Sequence, residues 1–177
     1  MKKHRNIFSV ETIAAAVIAA MLGIVPSFNA KTEPSARNSW RGITPLRSSA
    51  ADVARVIGAE SDSSDMPVGP FKVEGGEVTF SYLTPSLAKI YRAPRAIVGK
   101  VFTIYFKPYQ PMARADLPLG AGFKRCQEER EKSHYYYVSS AGIAYQLLRS
   151  NDQLETIIYQ PSSVEVRSLA VNTECVF

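Results

Sequence analysis

Along most of the chain, apolar and polar residues alternate with the period of two that is typical of β-strands. The alternation begins at Phe71 with FKVEGGEVTFSYL, in which Gly75-Gly76 separates two strand-like arms and predicts a hairpin. It continues in KVFTIYFKP, a strand pattern that Pro108 and Pro111 end. Three further segments, HYYYVS, IAYQLLRS and QLETIIYQP, are joined by the turn-forming sequences SAG and ND. These three predict an antiparallel meander.

One short segment before the strands has helical spacing instead, shown by its apolar residues Val53, Val56 and Ile57. Ser49 precedes it as an N-cap, and Asp52 three residues later resembles the second residue of a capping box. Gly58 follows at the position where helices commonly end. The pattern predicts a helix at Ala50–Ile57. Two turns are not stable alone, so this helix must pack on a sheet.

The order of elements therefore predicts an α+β fold, with one short N-terminal helix packed on an antiparallel sheet. The sheet is expected to have five or six strands and to end in the three-stranded meander, and the tail offers an optional last strand at Val164–Leu169. The segments TPSLAKIYRAPRAIVG and YQPMARADLPLGAG are interpreted as loops. FKRCQEEREKS fits either a strand end with a loop or one helical turn. A length of 177 residues suits one domain, and 46% hydrophobic residues argue against global disorder.

The first 30 residues have the order of a secretory signal peptide. Three basic residues precede an uncharged apolar run at Ile13–Val25, and small residues follow it. The run is shorter than the roughly 20 residues needed to span a bilayer, although an uncleaved anchor remains an alternative. We expect cleavage near Ser27–Ala30, a polar linker at 31–39 and a single domain at 40–177. The protein is accordingly expected to be exported, to the periplasm or outside the cell.

Charge and cysteine content refine this picture. Removal of residues 1–30 takes away three basic residues and one acidic residue, which lowers the formal net charge from +5 to +3. Such a mild charge does not indicate a nucleic-acid partner. The two cysteines, Cys126 and Cys175, suggest one disulfide in an oxidising compartment, with two free buried thiols as the alternative. A bridge closing about 50 residues could stabilise the fold by roughly 3–4 kcal/mol.

The familiar catalytic and metal-binding motifs are absent from the sequence. The expected domain has a single histidine, His134, and no spacing of His and Cys that would form a zinc site. There is no Gly-x-Ser-x-Gly, no His-Glu-x-x-His and no phosphate loop. We therefore expect no metal, no cofactor and no enzymatic activity. A hydrolase built from scattered carboxylates remains the least favoured alternative.

Two groups of residues are candidates for binding. No acidic residue occurs between Glu77 and Asp116, whereas six basic residues do: Lys89, Arg92, Arg95, Lys100, Lys107 and Arg114. Such a segment could meet an anionic polymer or a lipid headgroup, or could simply discourage edge-strand pairing. The second group is the set of tyrosines in the meander, Tyr135, Tyr136, Tyr137, Tyr145 and Tyr159. These could form an exposed aromatic surface for a protein partner, or cover the edge of the core.

Several stretches carry a resemblance to other proteins. WRGITPLRS, the following VARVIG, GKVFTIYFKP and AGIAYQLLRSNDQLETIIYQPS together resemble a group of uncharacterised exported bacterial proteins. Gly42, Thr44, Val53 and Gly58 are also similar, at the level of fold, to positions in the SmpA/OmlA outer-membrane lipoproteins and the β-lactamase-inhibitor proteins. The chain lacks the lipid-attachment cysteine of those lipoproteins. The resemblance implies a helix placed before an antiparallel sheet and does not imply an activity.

These observations favour a non-catalytic protein-interaction module of the cell envelope, which would use the meander tyrosines. The first alternative is a binder of anionic envelope polymer or lipid through the basic segment 89–114.

Overall fold

A computed structural model of the chain describes residues 38–59, 66–127 and 132–169. All described residues belong to one compact unit. The predicted signal peptide, residues 31–37 of the predicted linker, and Cys175 lie outside the described residues.

Within these ranges the chain forms seven β-strands and three α-helices, in addition to short 3₁₀ turns. The strands are β1 (Phe71–Val73), β2 (Gly76–Tyr82), β3 (Val101–Pro108), β4 (Phe123–Cys126), β5 (His134–Ser139), β6 (Ile143–Leu148) and β7 (Leu154–Tyr159). The helices are α1 (Ala50–Ile57), α2 (Pro85–Ile90) and α3 (Ser163–Ser168).

The strands form one antiparallel sheet with the order β1-β2-β3-β7-β6-β5-β4. The sheet consists of two meanders, β1 to β3 and β4 to β7, in which each strand pairs with its neighbour in the sequence. The two meanders meet where β3 pairs with β7, at Ile104 opposite Tyr159 and Phe106 opposite Ile157. The α+β class and the antiparallel sheet expected from the sequence are confirmed.

The core is divided along the sheet. Around β2 and β3, α1 and the residues before it share a cluster of buried side chains with the two strands: Trp40, Ile43, Val53, Val78, Phe80, Tyr82, Val101 and Ile104. Trp40 meets Phe80 edge to face, with ring centroids 5.8 Å apart. A second cluster lies at the other end of the sheet and consists of Leu117, Tyr135, Tyr145, Leu147 and Leu154. Helix α1 therefore takes part in the first cluster, and a segment after β3 supplies Leu117 to the second.

A register shift between β2 and β3 changes which residues face the core. Ser81 lies opposite Thr103, but the next residue, Tyr82, lies opposite Val101. This irregularity interrupts the alternation, as β-bulges do. Strict alternation would place Val101 on the same face as Thr103; instead Val101 is fully buried in the core cluster beside Tyr82.

Helix α1 is held by caps at both ends. The Ser49 Oγ accepts a hydrogen bond from the Asp52 N–H at 3.3 Å, and the Asp52 carboxylate accepts one from the Ser49 N–H at 2.8 Å. This reciprocal pair is a capping box, formed with Asp in place of the usual Glu. Gly58 ends the helix with a φ of 71°, a left-handed conformation that glycine adopts without steric cost.

The expected counts of elements were wrong. The described residues contain seven strands rather than five or six, because β4 adds a strand at the edge of the meander. They contain three α-helices rather than one. The strand expected at Val164–Leu169 is helix α3 instead, since Ser162 and Glu165 form a second capping box that fixes a helical start.

None of the helices formed by the described ranges has the length and apolar character needed to cross a membrane.

Candidate functional site

The meander tyrosines are largely core residues. Tyr135, Tyr136 and Tyr145 are 2%, 8% and 8% exposed, and Tyr137 and Tyr159 are half-buried. Tyr135 and Tyr145 belong to the second core cluster, whereas Tyr136 packs with Cys126, Ala144 and Ile158 in a third cluster. The three buried rings therefore cannot themselves form the exposed aromatic surface that a protein-interaction role was expected to use.

A set of hydrogen-bonded polar side chains lies beside Tyr135 of the second core cluster. The Tyr135 hydroxyl donates to Asp152 Oδ1, and Arg114 Nε donates to Oδ2 of the same carboxylate at 3.1 Å. Arg114 also donates to the Tyr137 hydroxyl at 3.2 Å, and the Arg125 guanidinium lies 4.5 Å from the centre of the Tyr135 ring. Burial, followed by the hydrogen bond to Asp152, raises the pKa of Tyr135 to about 12. Asp152 thus supplies the hydrogen-bond partner that the buried Tyr135 hydroxyl needs, so a structural role accounts for this tyrosine.

The six basic candidates separate into two sets. Arg114 pairs with Asp152, and Lys107 on β3 lies 3.9 Å from a carboxylate oxygen of Glu155 on β7. Lys107 is also the cross-strand neighbour of Glu77 on β2. Because acidic side chains from elsewhere in the fold lie beside Lys107 and Arg114, these two residues contribute little to a basic surface.

The other four basic residues all belong to the connection between β2 and β3, and we call them the basic patch: Lys89, Arg92, Arg95 and Lys100. The connection leaves the sheet after Leu83 and returns at Gly99. Its ends are joined by two backbone hydrogen bonds of 2.8 Å, from the Leu83 N–H to the Lys100 carbonyl and from the Gly99 N–H to the Leu83 carbonyl. We refer to residues 84–99 as the β2–β3 excursion. It is a compact projection with closed ends, in the manner of an Ω-loop.

Local structure within the excursion holds the basic patch in place. Thr84 is the N-cap of α2, its hydroxyl accepting from the Leu87 N–H at 3.2 Å, and Pro85 occupies the first helical position. Ala88 is buried, and the Tyr91 ring stacks on Phe102 of β3 with centroids 5.4 Å apart. The excursion is therefore anchored to the sheet by packing as well as by backbone hydrogen bonds.

The surface of the excursion combines positive charge with an exposed apolar side chain. Lys89, Arg92 and Arg95 are exposed, and Lys100, which directly follows the excursion, is half-buried. None of the four forms an ion pair with any side chain in the part of the chain that the structure describes. Ile90, between Lys89 and Arg92, is 71% exposed. Water is a poor environment for such a side chain, so this end of α2 is suited to a surface that accepts both charge and an apolar group.

The remaining sequence candidates are the two cysteines and the histidine. Cys126 is buried and disulfide-bonded, but its pairing with Cys175 stays a prediction because Cys175 lies outside the described residues. His134 Nε2 on β5 lies 2.6 Å from Oε2 of Glu155 on β7, two strands away in the sheet. Across residues 38–59, 66–127 and 132–169, no three His, Cys, Asp or Glu side chains are grouped closely enough to hold a metal ion.

The sequence indicates the charge of this site but not its shape. The loop expected over the excursion contains helix α2, and Thr84 followed by Pro85 is a recognisable start for a helix. That signal could have located α2. The exposure of Ile90 had no sequence signal, since apolar residues in a short helix are usually buried.

No protein-family model, curated protein or solved structure matches this chain.

Proposed function

We propose that this is an exported protein that binds anionic phospholipid surfaces of the cell envelope through the basic patch and Ile90. The observation that supports this most is the exposure of Ile90 among basic residues that have no acidic partner among the described side chains. Export is supported by the signal-peptide pattern of residues 1–30.

The charges supply the larger part of the expected affinity. A Lys or Arg held near an anionic membrane contributes about 1 kcal/mol. Four such residues would give about 4 kcal/mol, or roughly a thousandfold enrichment at the surface. This attraction acts over a Debye length, which falls from about 10 Å at 0.1 M salt to about 3 Å at 1 M.

The apolar residue distinguishes a membrane from an anionic polymer. Complete burial of an isoleucine side chain is favourable by roughly 1.5–3 kcal/mol. Ile90 can gain part of this only where an apolar phase lies beside the anionic groups, as in the headgroup region of a bilayer. A polysaccharide offers the charge without the apolar phase. The exposed isoleucine therefore favours lipid over polymer.

The test is co-sedimentation of the purified domain with vesicles of phosphatidylglycerol and phosphatidylcholine, compared with vesicles of phosphatidylcholine alone. We expect binding only to the anionic vesicles, with loss of binding at high salt. Replacing Lys89, Arg92 and Arg95 by Gln removes three charges and should weaken binding by about a hundredfold. Ile90→Ser should weaken binding several-fold without altering its dependence on salt.

A matched control removes the same charge elsewhere, by replacing Lys72, Lys124 and Arg167 with Gln. These three lie outside the excursion, Lys72 and Lys124 on exposed strand positions and Arg167 on α3. The proposal fails if both triple variants lose binding equally, because net charge alone would then explain the attraction. It also fails if neutral vesicles bind as well as anionic ones.

A protein-interaction role is a second candidate, and it rests on different residues from those expected. Tyr105 in the middle of β3 is 41% exposed, and Tyr109 and Met112 beyond the strand are 55% and 36% exposed. Aromatic residues and methionine are enriched at protein interfaces. Capture of a discrete envelope protein that survives a high-salt wash and is lost in the Tyr105→Ala/Tyr109→Ala variant would favour this role.

A further inference from the structure

The segment before α1 and helix α1 itself line a shallow cleft of about 420 Å³, which shares no residue with the excursion. Three arginines from different local elements line it: Arg41, Arg47 and Arg55. Ile43 and Val56 are also in its wall, as is the acidic Asp52, which pairs with Arg55. We infer that this cleft binds a small organic oxyanion, one carboxylate or phosphate group carrying a short apolar chain.

Arg41 is held over the cleft by a tight turn. The backbones of Trp40 and Ile43 pair through two hydrogen bonds of 2.9 and 2.8 Å, leaving only Arg41 and Gly42 in between. Both have positive φ, 47° and 84°, as a two-residue turn of this kind requires. Glycine adopts this conformation freely, whereas arginine does so at a cost. The Arg41 guanidinium lies 5.2 Å from the centre of the Trp40 ring, a cation–π arrangement, and donates to the Glu74 carbonyl at 3.1 Å.

Arg47 is positioned by a loop that is anchored to the sheet. The Thr44 N–H donates to Ser48 Oγ at 2.9 Å and closes the loop on itself. The Leu46 N–H donates to the Val101 carbonyl at 2.7 Å, and the Val101 N–H donates to the Ser48 carbonyl at 2.9 Å. These bonds fix the loop to the start of β3, so the cleft is a feature of the folded domain.

The three guanidinium groups retain capacity for an anionic ligand. Their closest carboxylate contacts are 3.7 Å from Arg41 to Glu74, 3.6 Å from Arg47 to Glu165 and 3.3 Å from Arg55 to Asp52. Tight charge-assisted pairs lie at about 2.7–2.9 Å. The Glu74 side chain is 95% exposed, so it can move away without leaving a buried charge. An oxyanion entering the cleft can therefore displace Glu74 from Arg41, whereas Asp52 and Glu165 stay fixed in their capping boxes and share Arg55 and Arg47 with the ligand.

The size and wall of the cleft define the ligand class. Its volume falls at the small end of the range of about 300–1,000 Å³ that is usual for small-molecule sites. The apolar residues of the wall are Val56, which is half-buried, and Ile43, which is only 2% exposed; an inorganic anion could not use them. A ligand that places its oxyanion on the guanidinium groups and a short alkyl chain against Val56 would use both features.

Trp40 provides a direct readout, because it is the only tryptophan of the chain and lies under Arg41. We would follow its fluorescence while titrating the purified domain with hexanoate, hexyl phosphate, acetate and inorganic phosphate. We expect saturable changes with the two alkyl anions, and binding at least about fivefold weaker for acetate and inorganic phosphate. A tighter response to hexanoate assigns a carboxylate ligand, and a tighter response to hexyl phosphate assigns a phosphate.

Some variants should raise the dissociation constant of the alkyl anions, and one should lower it. Arg41→Gln and Arg55→Gln should each raise the dissociation constant by about tenfold, because each removes a charged donor. Glu74→Gln should lower it several-fold by removing a competing carboxylate, a gain that a folding defect cannot produce. Arg95→Gln, in the basic patch, should leave the titration unchanged, and Arg55→Gln should leave vesicle binding unchanged.

The inference is overturned if no titration saturates, or if Glu74→Gln weakens binding as the arginine variants do. Because the two sites share no residue, failure here leaves the membrane proposal standing, and failure of vesicle binding leaves this one standing.

Discussion

Tyr135 gives the sharpest test of the finding that the meander tyrosines belong to the core. Its ring is 2% exposed and lies in a cluster with Leu117, Leu147 and Leu154. It also meets the Tyr137 ring edge to face at 5.8 Å. If the ring were part of an exposed binding surface, its removal would hardly affect folding.

The structure predicts two different costs at this residue. Tyr135→Ala empties the site of a large buried ring, which destabilises proteins by about 3–5 kcal/mol for aromatic residues of this size. Tyr135→Phe keeps the ring and loses only the hydrogen bond to Asp152. Because the Asp152 side chain is 56% exposed and can be rehydrated, we expect this loss to be about 1.5 kcal/mol, the low end of the range for bonds to charged groups.

The assay is urea unfolding with the disulfide intact, followed by the fluorescence of Trp40. Trp40 lies in the first core cluster, away from Tyr135, so a change in the midpoint reports the stability of the whole domain. Tyr105→Ala serves as the control, since that ring is 41% exposed and its loss should cost less than about 1 kcal/mol. A cost below about 1 kcal/mol for Tyr135→Ala would refute the placement of this ring in the core.

Three further predictions concern stability. Gly142→Ala should destabilise the domain by about 2 kcal/mol or more, because Gly142 has a φ of 90° and an added Cβ would meet the Gln160 carbonyl oxygen. Gly120→Ala is the control in the same urea assay. It should be nearly neutral, because a Cβ at Gly120 has open space. Ser49→Ala should cost about 1 kcal/mol by removing the capping box of α1, whereas Ser86→Ala at an exposed position of α2 should cost little in thermal unfolding. Burial raises the pKa of Tyr82, Tyr135 and Tyr159 to about 12, so the folded state holds their protons more tightly than the unfolded chain does. The stability that this provides is fully present below about pH 10 and should be lost as the pH rises towards 12. Ultraviolet absorbance of tyrosinate measures this directly. In the folded protein these tyrosines should ionise only near pH 12, whereas in urea they should ionise near pH 10.

The local features of the fold were accessible from the sequence because their causes are local. The alternation in FKVEGGEVTFSYL and in the three meander segments corresponds to strands in the structure, and Ser49 with Asp52 forms a capping box. Two helices were not expected although their signals are also local: Thr84-Pro85 begins α2, and Ser162 with Glu165 begins α3. A few neighbouring residues specify both starts, so capping patterns alone could have located these helices.

Other features depend on contacts between distant parts of the chain, and only the tertiary structure decided them. Alternation predicts that Tyr135 and Tyr136 point to opposite faces of the sheet, but it does not say whether either face is covered; both are buried. The six basic residues look alike in the sequence, yet Arg114 meets Asp152 and Lys107 meets Glu155 only because separate segments come together in the fold. The sequence by itself determined where strands and caps form, because neighbouring residues set backbone conformation. Packing between elements far apart in the chain decided which side chains are exposed, which charges are neutralised and which arginines share a cleft.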